Sequence, residues 1–250
     1  MNFKLKCFAV AGGASGIGAA TVKLLWSRGA SVAVADIDAE GLRNLREKLE
    51  QSANHPLQKI LTDAVDVVNS AEVDGWIARV VNEFGQLHGA ANVAGKGDGY
   101  GLLAEKTDSQ FDATMNLNLR GVFNCMRAEL NNMDAGASIV NVSSGAGIRG
   151  IPGSSLYTAA KHGVNGMTRA AAKEYAPKGI RINSVCPGVT RTPLLDLSGK
   201  KEAMQDFVKG TPLNRLAEPE EVANVIVFLL SDEASFQTGA LVSVDGGFTS

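Results

Sequence analysis

The chain has 250 residues, of which 45% are apolar and 20% charged, so it is long enough to bury a large hydrophobic core. Its formal net charge of −2 gives no electrostatic reason to bind nucleic acid or an anionic membrane surface. The three cysteines, at positions 7, 125 and 186, are odd in number and far apart. They predict neither a disulfide framework nor a cysteine-rich metal site.

No run of 18 apolar residues occurs, and the apolar stretch before the first glycine cluster is too short for the core of a signal peptide. The three histidines, His55, His88 and His162, do not have the spacing of metal ligands. We therefore expect a cytoplasmic protein without a metal site, and neither nucleic acid nor a membrane as its partner.

Short apolar or β-branched runs alternate with segments of helical period along the whole chain. Runs that are apolar on both faces and separated by helix-length connections predict a parallel sheet covered by helices on both sides. No repeat or linker divides the pattern. The sequence thus predicts one α/β domain over residues 1–250, with a doubly wound, Rossmann-type sheet of seven parallel strands. The strand-like runs are 7–11, 31–36, 58–62, 88–94, 138–143, 180–185 and 240–244.

Three glycines, Gly12, Gly16 and Gly18, lie between the first predicted strand and the first predicted helix. Glycine lets the backbone turn tightly and approach a pyrophosphate, while the free N–H groups at the helix start attract negative charge. In a chain with 28 glycines this spacing alone is weak evidence. Its position after the first strand is the context that a dinucleotide-binding loop requires.

Asp36 ends the second predicted strand. A carboxylate there can accept the adenosine ribose hydroxyls and would repel a 2′-phosphate, which predicts NAD rather than NADP. Neither Ser15 nor Ile37 supplies a cation for that phosphate. The alternative is that Asp36 is an ordinary turn or helix-start residue. Asp66 and Val67, after the third strand, are predicted to frame the adenine.

Tyr157 and Lys161 are four residues apart in a predicted helix that Ser154 would cap and that runs to about Tyr175. Residues at this spacing share a helix face, so the phenol and the ammonium should be neighbours. A plain surface pair is the alternative, because the spacing alone is weak evidence. Ser144 stands thirteen residues before Tyr157, at the end of the fifth strand.

The segment from Cys186 to residue 239 breaks the alternation, with several prolines and no clear strand. An insertion after a strand's carboxyl end lies at the edge where open α/β sheets bind ligands. We expect a substrate lid at about residues 190–215. An ordinary helical excursion is the alternative.

Several ordered motifs together resemble the short-chain dehydrogenase/reductase family over essentially all 250 residues, and this agreement is far more specific than any single motif. The motifs are "AGGASGIG", "NVAG" at 92–95, "NLNLRGVF" at 116–123, "IVNVSS" at 139–144, "YTAAKHG" at 157–163, "CPGVTRT" at 186–192 and "GALVSVDGG" at 239–247.

The resemblance implies a catalytic set of Asn118, Ser144, Tyr157 and Lys161. It also implies that residues after the fourth strand line the cofactor and that the backbone after the sixth strand holds the nicotinamide amide. With the glycine loop and the acidic residues, the expected NAD-binding set is Gly12, Ser15, Gly16, Ile17, Gly18, Asp36, Ile37, Asp66, Val67, Asn92, Ala94, Gly95, Tyr157, Lys161, Pro187, Gly188, Val189 and Thr192.

Oxidising an alcohol with a nicotinamide requires a group that takes the hydroxyl proton. A free tyrosine has a pKa near ~10, and lowering it by ~3 units would require about 4 kcal/mol. We expect Lys161 and the nicotinamide charge to lower the pKa of Tyr157, and Ser144 to stabilise charge on the substrate oxygen. Judged from the sequence alone, Asn118 would be a solvated surface residue, because asparagine is a mediocre helix former. By resemblance it bends its helix and holds a water that relays protons from Lys161.

The chain departs from the family pattern at three positions. Ala11 replaces a threonine, Val93 replaces the second asparagine of N-N-A-G, and His88 stands where an aspartate is common. The first two changes remove hydrogen bonds that brace loops, and the segment "GKGDGYG" from Gly95 is unusually glycine-rich. These departures bear on local rigidity and leave the catalytic set intact.

The substrate pocket is expected at Ala146, Arg149 and Ile151, the loop from Gly97 to Leu103, and the lid. These residues favour a hydrophobic secondary alcohol or ketone, such as a steroid, terpenoid or polyketide-like compound. Arg149 and Arg191 weaken this argument, because their positive charges could bind an anionic substrate.

Two other functions stay open from the sequence: a dehydration, epimerisation or cyclisation on the same fold, or a non-catalytic nucleotide-binding protein. Family members are commonly tetramers. Small residues in the helices near 108–132 and 154–176 would permit close packing of a partner helix. We therefore expect a homotetramer, with a dimer as the fallback.

Overall fold

The structure is a computed structural model that describes residues 3–193 and 208–250. Its strands form one sheet, in which all pairs are parallel and the order is β3-β2-β1-β4-β5-β6-β7. The predicted fold class is confirmed. The strands are β1 (Cys7–Ala11), β2 (Ser31–Asp36), β3 (Ile60–Ala64), β4 (Gly89–Asn92), β5 (Ser138–Val142), β6 (Arg181–Pro187) and β7 (Leu241–Val244).

Helices cover both faces of this sheet. The first three are α1 (Gly16–Ser27), α2 (Ala39–Glu50) and α3 (Ser70–Phe84), followed by α4 (Asp108–Met115), α5 (Gly121–Leu130), α6 (Ser155–Tyr175) and α7 (Pro219–Leu230). A π-helical segment, Asn116–Arg120, joins α4 to α5, and single 3₁₀ turns lie at Leu103–Glu105, Gly145–Gly147, Ala176–Lys178 and Asp232–Ala234. No helix within the described ranges is long and apolar enough to cross a membrane.

The hydrophobic core has two layers, one on each side of the sheet. Apolar residues of α3, α5 and α6 pack on one face, and those of α1, α2 and α7 pack on the other. The central strands are buried on both faces, and all five residues of β1 are buried. This explains why the strands read as unbroken apolar runs rather than as an alternation of apolar and polar residues.

Five of the seven strands differ from their predicted bounds, and in β3 and β4 the hydrogen bonds show why. β3 begins at Ile60 because the Gln58 side chain turns inward and donates to the carbonyls of Trp26, at 2.7 Å, and Ala30, at 2.9 Å. β4 ends at Asn92 because the next two N–H groups, of Val93 and Ala94, both donate to the Ala11 carbonyl. The chain therefore leaves the ladder just where the site begins.

The sheet order places β1 next to β4, and the chain leaves these two strands in opposite directions across the sheet. A crevice forms at such a switch point, outside the carboxyl ends of the strands, and this is where open α/β sheets bind ligands. The loops after β1, β4, β5 and β6 all reach this edge. They carry most of the residues that the sequence singles out.

A buried carboxyl, Glu129 on α5, gives the fold a pH-dependent stability. Its side chain is fully buried, and burial raises its pKa to about 8 despite a hydrogen bond from Asn92. Because an unfolded carboxyl titrates near ~4.3, the native state binds more protons between that pH and about 8. The contribution of Glu129 to stability is therefore complete at acid pH and is lost as the pH rises through this window.

Glu129→Gln should remove that loss, because an uncharged amide of the same shape needs no proton to stay buried. We expect the variant to exceed the wild type in free energy of unfolding by roughly 4–5 kcal/mol at pH 8 and to show a flatter pH dependence. Urea unfolding between pH 5 and 9 measures both. The exposed Glu47→Gln is the matched control, and an equal response in the two variants would contradict the assignment.

Candidate active site

The three glycines after β1 lie where side chains have no room. A Cβ on Gly12, whose φ is +79°, would come within 2.5 Å of the Ala94 nitrogen, and one on Gly16 would lie 3.0 Å from Thr192 Cγ2. A Cβ on Gly18 would overlap the Gly12 carbonyl oxygen. The loop after β1 is thus pressed against the loops after β4 and β6, and its backbone is open for a close approach by a ligand.

The N-terminus of α1 carries no competing side chain. Ser15 is at the N-cap position, but its exposed side chain makes no cap hydrogen bond, and the first turn holds no acidic residue. Ile17 is half-buried and packs against the core beneath the loop. The free N–H groups and the helix dipole therefore suit an anionic group such as a pyrophosphate.

Asp36 is half-exposed at the end of β2, beside this loop. One carboxylate oxygen accepts from the Ala14 N–H at 3.0 Å and the other from the Asp38 N–H at 3.1 Å. A carboxylate has about four acceptor positions, so each oxygen can accept a further hydrogen bond from a ribose hydroxyl. The neighbouring Ile37 side chain is 76% exposed and offers an apolar surface next to the carboxylate.

Asp66 and Val67 follow β3 on the same side of the crevice. The exposed Asp66 carboxylate accepts from the Val68 N–H and so braces its own turn. Val67 is buried with its side chain against Gly121 at the start of α5, and its carbonyl accepts from Asn124 Nδ2. Only the backbone of Val67 therefore remains for contacts to an adenine.

The loop after β4 brings two parts of the site together. The Asn92 side chain points into the core and donates to Glu129 and Asn141, so a role for Asn92 at the cofactor falls to its backbone. Ala94 packs against Gly12. A Cβ on Gly95 would lie 2.8 Å from Asn118 Oδ1 and 3.2 Å from Lys161 Nζ. The bare backbone of Gly95 allows these two groups to approach each other.

Ser144, Tyr157 and Lys161 meet at the carboxyl edge of the sheet. Lys161 Nζ lies 5.5 Å from the Tyr157 ring centroid and donates to the Val142 carbonyl at 2.9 Å. The Ser144 side chain hydrogen-bonds with the Tyr157 hydroxyl. Tyr157 and Lys161 therefore share a helix face as their spacing predicts, with Ser144 opposite them in the turn just after β5.

The protonation of this cluster differs from the prediction. Burial raises the pKa of Tyr157 to about 12, which outweighs the hydrogen bond from Ser144, and the charge of Asp98 adds to the rise. Burial also lowers the pKa of Lys161 to about 8. The protein's own groups thus give a net rise in the pKa of Tyr157 instead of the expected lowering, because desolvation dominates at both residues. The effect of the nicotinamide charge stays a prediction.

Asn118 is buried, which overturns its default reading as a solvated residue. Its Nδ2 donates to the Thr114 carbonyl and to the Lys96 carbonyl, and its Oδ1 accepts from the Lys96 N–H. The π-helical segment contains it, so the helix predicted over 108–132 is interrupted at this point. The local widening of the helix turns the Asn118 amide toward the loop after β4.

The segment after β6 faces the glycine loop. Pro187 ends β6, and Gly188 packs against the backbone of Asp245, where a Cβ would come within 2.8 Å of its Cα. Val189 accepts from the Ala217 N–H at 3.0 Å. Thr192 lies against Gly16. The backbone of this segment is thus braced at the mouth of the crevice, on the side opposite Asp36.

Comparison with known proteins agrees with this geometry. The family model described as "Enoyl-(Acyl carrier protein) reductase", adh_short_C2, matches residues 12–249. The short-chain dehydrogenase/reductase aba4 of Botryotinia fuckeliana (strain B05.10) is 40% identical, over 98% of this chain and 97% of the relative. Cyclohexanol dehydrogenase of Acinetobacter sp. (strain SE19) is 42% identical, over 100% of this chain and 97% of the relative. The crystal structure of levodione reductase superposes with a TM-score of 0.92 at 35% identity, covering 99% of each chain.

The chain belongs to the short-chain dehydrogenase/reductase family. Membership makes the protein an oxidoreductase of a family that uses nicotinamide cofactors. The roles of individual residues, and the choice between NAD and NADP, stay predictions.

Where the chain departs from the family pattern, other groups make hydrogen bonds that brace the same loops. His88 Nδ1 accepts from the Cys7 N–H at 3.0 Å, which is the bond that a carboxylate could accept in its place. The carbonyl of Ala11 accepts from Val93 and Ala94, so backbone groups bridge the loops after β1 and β4. The expected loss of rigidity is thus partly offset by backbone and imidazole contacts.

Two features of this short-chain dehydrogenase/reductase site go beyond the sequence prediction, which places Asp98 in the pocket loop from Gly97 to Leu103 but gives it no role. Asp98, in the loop after β4, is buried next to Tyr157 and reaches the start of α6. The C-terminal turn places Phe248 and Thr249 within 3.5 Å of the position of a Cβ on Gly145. The same turn borders, with Gly188, a cleft of about 280 Å³. The only sequence signal that could have pointed to the role of Asp98 is the glycine-rich loop around it.

Arg149 and Arg191, the two cations expected at the pocket, both have partners in the structure. Arg149 Nη1 donates to the Phe248 carbonyl at 2.7 Å, and its guanidinium lies 4.8 Å from the Phe248 ring centroid. Arg191 pairs with Glu218 at 3.0 Å. Most of the predicted lid, residues 194–207, lies outside the described residues, and Thr190, at its start, forms a parallel bridge with Ala217.

Gly12→Ala tests the glycine loop. The new Cβ would meet the Ala94 backbone at a positive φ, so we expect a loss of roughly 2–4 kcal/mol of stability and at least about tenfold weaker NADH binding. Gly75→Ala is the control, because this exposed glycine of α3 has open space around it and alanine should stabilise the helix by up to ~1 kcal/mol. Urea unfolding and NADH fluorescence titration measure both. Wild-type values for Gly12→Ala would contradict the close approach.

Proposed function

We propose that the protein is an NAD-dependent oxidoreductase that interconverts a secondary alcohol and a ketone on a hydrophobic small molecule, with Tyr157 as the acid–base. The observation that carries the proposal is the meeting of Ser144, Tyr157 and Lys161 at the carboxyl edge of the sheet, beside Gly95. A hydroxyl donor, a phenol and an ammonium in one cleft are the groups that alcohol oxidation requires.

The crevice between the loops after β1 and β4 fits a dinucleotide. Its glycine backbone would hold the pyrophosphate at the start of α1, and Asp36 would accept the adenosine ribose hydroxyls, which disfavours the 2′-phosphate of NADP. The braced segment from Pro187 to Thr192 would hold the nicotinamide amide. When bound, the oxidised cofactor supplies a hydride acceptor with a positively charged ring.

The protein's own residues supply the proton chemistry. Ser144 would donate a hydrogen bond to the substrate oxygen, and Tyr157 would take the hydroxyl proton in oxidation or give it in reduction. Because the pKa of Lys161 is about 8, its ammonium can exchange a proton with the site near neutral pH. Asn118 Oδ1 lies next to Gly95, 2.8 Å from the position that a Cβ on Gly95 would take. From there Asn118 would order a water molecule that passes protons between Lys161 and solvent.

The substrate proposal rests on the polarity of the pocket. The guanidinium groups of Arg149 and Arg191 already contact Phe248 and Glu218, which uses part of their capacity to bind a substrate phosphate or carboxylate. Two similar proteins are named cyclohexanol dehydrogenase and levodione reductase. A neutral, ring-bearing secondary alcohol or ketone is therefore the first class to test, with steroid, terpenoid and polyketide-like compounds in the same panel.

The experiment is an absorbance assay at the reduced-nicotinamide band, with cyclohexanol, larger alicyclic alcohols and their ketones, each with NAD and with NADP. The proposal predicts turnover with at least one alicyclic alcohol–ketone pair and a preference for NAD. A sugar phosphate is the matched polar control. Absence of any cofactor-dependent turnover, together with wild-type NADH binding, would favour the nucleotide-binding alternative.

The same proposal takes residues 1–250 as one domain that assembles as a homotetramer through α4, α5 and α6. Phe111 and Phe123, on α4 and α5, are 48% and 45% exposed. On α6, Ala159, Gly166 and Ala170 are exposed, which leaves room for a partner helix. Three other small residues of α6, Ala160, Ala171 and Ala172, are buried in the chain's own core. Light scattering measures the assembly directly.

A further inference from the structure

The loop between β4 and α4 holds a buried ion pair that the proposed chemistry does not use. Asp98 Oδ2 lies 3.2 Å from Lys106 Nζ, and the side chains of Asp98 and Lys106 are 1% and 5% exposed. Lys106 Nζ also donates to the carbonyls of Asp98, at 3.2 Å, and Gly99, at 2.7 Å. A buried ion pair adds little net stability, so we look for its role in the positions of the groups that it holds.

The same carboxylate reaches the start of α6. Asp98 Oδ2 accepts from the Leu156 N–H at 3.2 Å, in the first turn of the helix. Ser154, which the sequence predicts as the cap, occupies the N-cap position but makes no side-chain cap hydrogen bond. A distant aspartate thus supplies both the acceptor and the negative charge that favour this helix end. Tyr157 is the next residue along the chain.

The loop and the helix start are also joined by direct packing. The Gly101 N–H donates to the Gly153 carbonyl at 3.1 Å. The Tyr100 ring occupies the space into which a Cβ on Gly153, whose φ is +79°, would project. The loop therefore fits only against this glycine, and a change in the loop would be transmitted to the first turn of α6.

The Asp98 carboxylate also acts on the phenol through its charge. The groups that face Tyr157 are Lys161 on the same helix, Ser144 at the end of β5 and Asp98 on the loop. The charge of Asp98 opposes the phenolate, in addition to the larger effect of burial on the pKa of Tyr157. The second oxygen of Asp98, Oδ1, is buried without a hydrogen-bond partner among the described residues.

We propose that Asp98 is a positioning residue for Tyr157: with Lys106 as its counter-ion, it fixes the first turn of α6 against the loop after β4 and sets the charge next to the phenol. This inference rests on the proposed function and deepens it, because it adds a residue that acts through Tyr157 without touching the substrate. Asp98 would hold the phenol in place, and Lys106 would balance the negative charge that this requires.

Three variants separate the two effects. Asp98→Asn keeps an acceptor for the Leu156 N–H and removes the charge. Lys106→Met removes the counter-ion and leaves the carboxylate unbalanced. The double variant removes both charges. The exposed Asp112→Asn on α4 is the matched control.

The decisive readout is the phenolate fraction of Tyr157 at pH 11, measured by NMR of protein labelled at tyrosine Cζ, with circular dichroism confirming the fold. The chain has three tyrosines, and Tyr157→Phe identifies the signal. A shift of about one pKa unit is the usual effect of a close charge, so Asp98→Asn should raise the fraction about fivefold. Lys106→Met is read from the kcat/KM profile between pH 6 and 9, where a lysine side chain is charged. There it should displace the profile in the direction opposite to Asp98→Asn, and the double variant should return close to the wild type.

Amide hydrogen exchange at Leu156 tests the contact itself. Asp98→Ala should lose at least about tenfold of the protection, and Asp98→Asn should retain most of it. A phenolate fraction that is unchanged or lowered in Asp98→Asn would overturn the proposal. Should a variant unfold at pH 11, opposite displacements of the kcat/KM pH profile between pH 6 and 9 replace this readout, and coincident profiles would overturn the proposal.

The NMR and exchange measurements need no turnover. A wild-type protein that oxidises no alcohol would therefore count against the proposed function, while the tyrosine signal would still decide the role of Asp98.

Discussion

Replacing Tyr157 with phenylalanine is expected to lower kcat for alcohol oxidation by about 10³-fold, because a positioned acid–base group contributes roughly 10²- to 10⁴-fold. The phenylalanine ring fills the same space and lacks only the hydroxyl that hydrogen-bonds with Ser144. The change should weaken NADH binding by no more than about tenfold, the loss of one hydrogen bond, since the glycine loop and Asp36 are untouched. Stopped-flow absorbance and fluorescence titration measure the two quantities.

The matched control for this change is Tyr175→Phe. Tyr175 is the last residue of the same helix, and a lysine, Lys178, lies 4.8 Å from its ring centroid. Tyr175 and Lys178 thus form a second tyrosine–lysine pair, at the C-terminal end of α6 and the 3₁₀ turn that follows it, far from the carboxyl edge of the sheet. We expect its kcat to match the wild type. Equal losses in the two variants would mean that the aromatic hydroxyls act on the stability of α6 and not on the reaction.

Asp36→Asn should reverse much of the preference for NAD. The amide still offers one acceptor to the Ala14 N–H, whereas the charge that would repel a 2′-phosphate is gone. Hydrogen bonds to a charged acceptor are worth about 1.5–3 kcal/mol, so we expect the ratio of kcat/KM for NAD over NADP to fall by roughly 100-fold. Initial rates with both cofactors give this ratio.

Asp38→Asn is the control for cofactor choice. Asp38 is two residues farther on, is exposed, and caps α2 by accepting from the Gly41 N–H at 3.0 Å. Asparagine is an equally good cap, so the fold should be unaffected. A similar fall in the NAD-to-NADP ratio would show that the general negative charge of this region, and not Asp36, decides between the cofactors.

Much of the fold follows from the sequence because the sheet is parallel and buried. β1 and β2 have their predicted bounds, since an apolar run between a glycine and a helix-length segment has few other structures to adopt. Strand ends were less predictable. Gln58 looks like part of a strand in the sequence, yet its side chain satisfies two carbonyls of a neighbouring loop.

The site was predictable where its residues are close in sequence or follow strand ends. Tyr157 and Lys161 share a helix face, and Ser144 follows the end of β5 by two residues. Asp98 was not, because its contact with Leu156 joins residues 58 apart and depends on how two loops pack. No local pattern encodes such a contact.

Glu129 is an intermediate case. It follows Val122, Cys125 and Met126 at helical spacing, so the buried face of α5 could have been extended to it. A carboxyl is rarely placed in a core on sequence grounds, because burying its charge is unfavourable. Here the cost is avoided by a raised pKa, which keeps the group neutral at physiological pH.

The pH dependence of catalysis in both directions tests most directly the central claim that Tyr157 exchanges the proton of the substrate hydroxyl. Burial favours the neutral phenol, so only a small fraction accepts a proton near neutral pH. We predict that kcat/KM for alcohol oxidation rises with pH between 6 and 8, by up to about tenfold per unit, while ketone reduction does not rise. Oxidation that is independent of pH over this range, or a profile that Tyr157→Phe leaves unchanged, would contradict the claim.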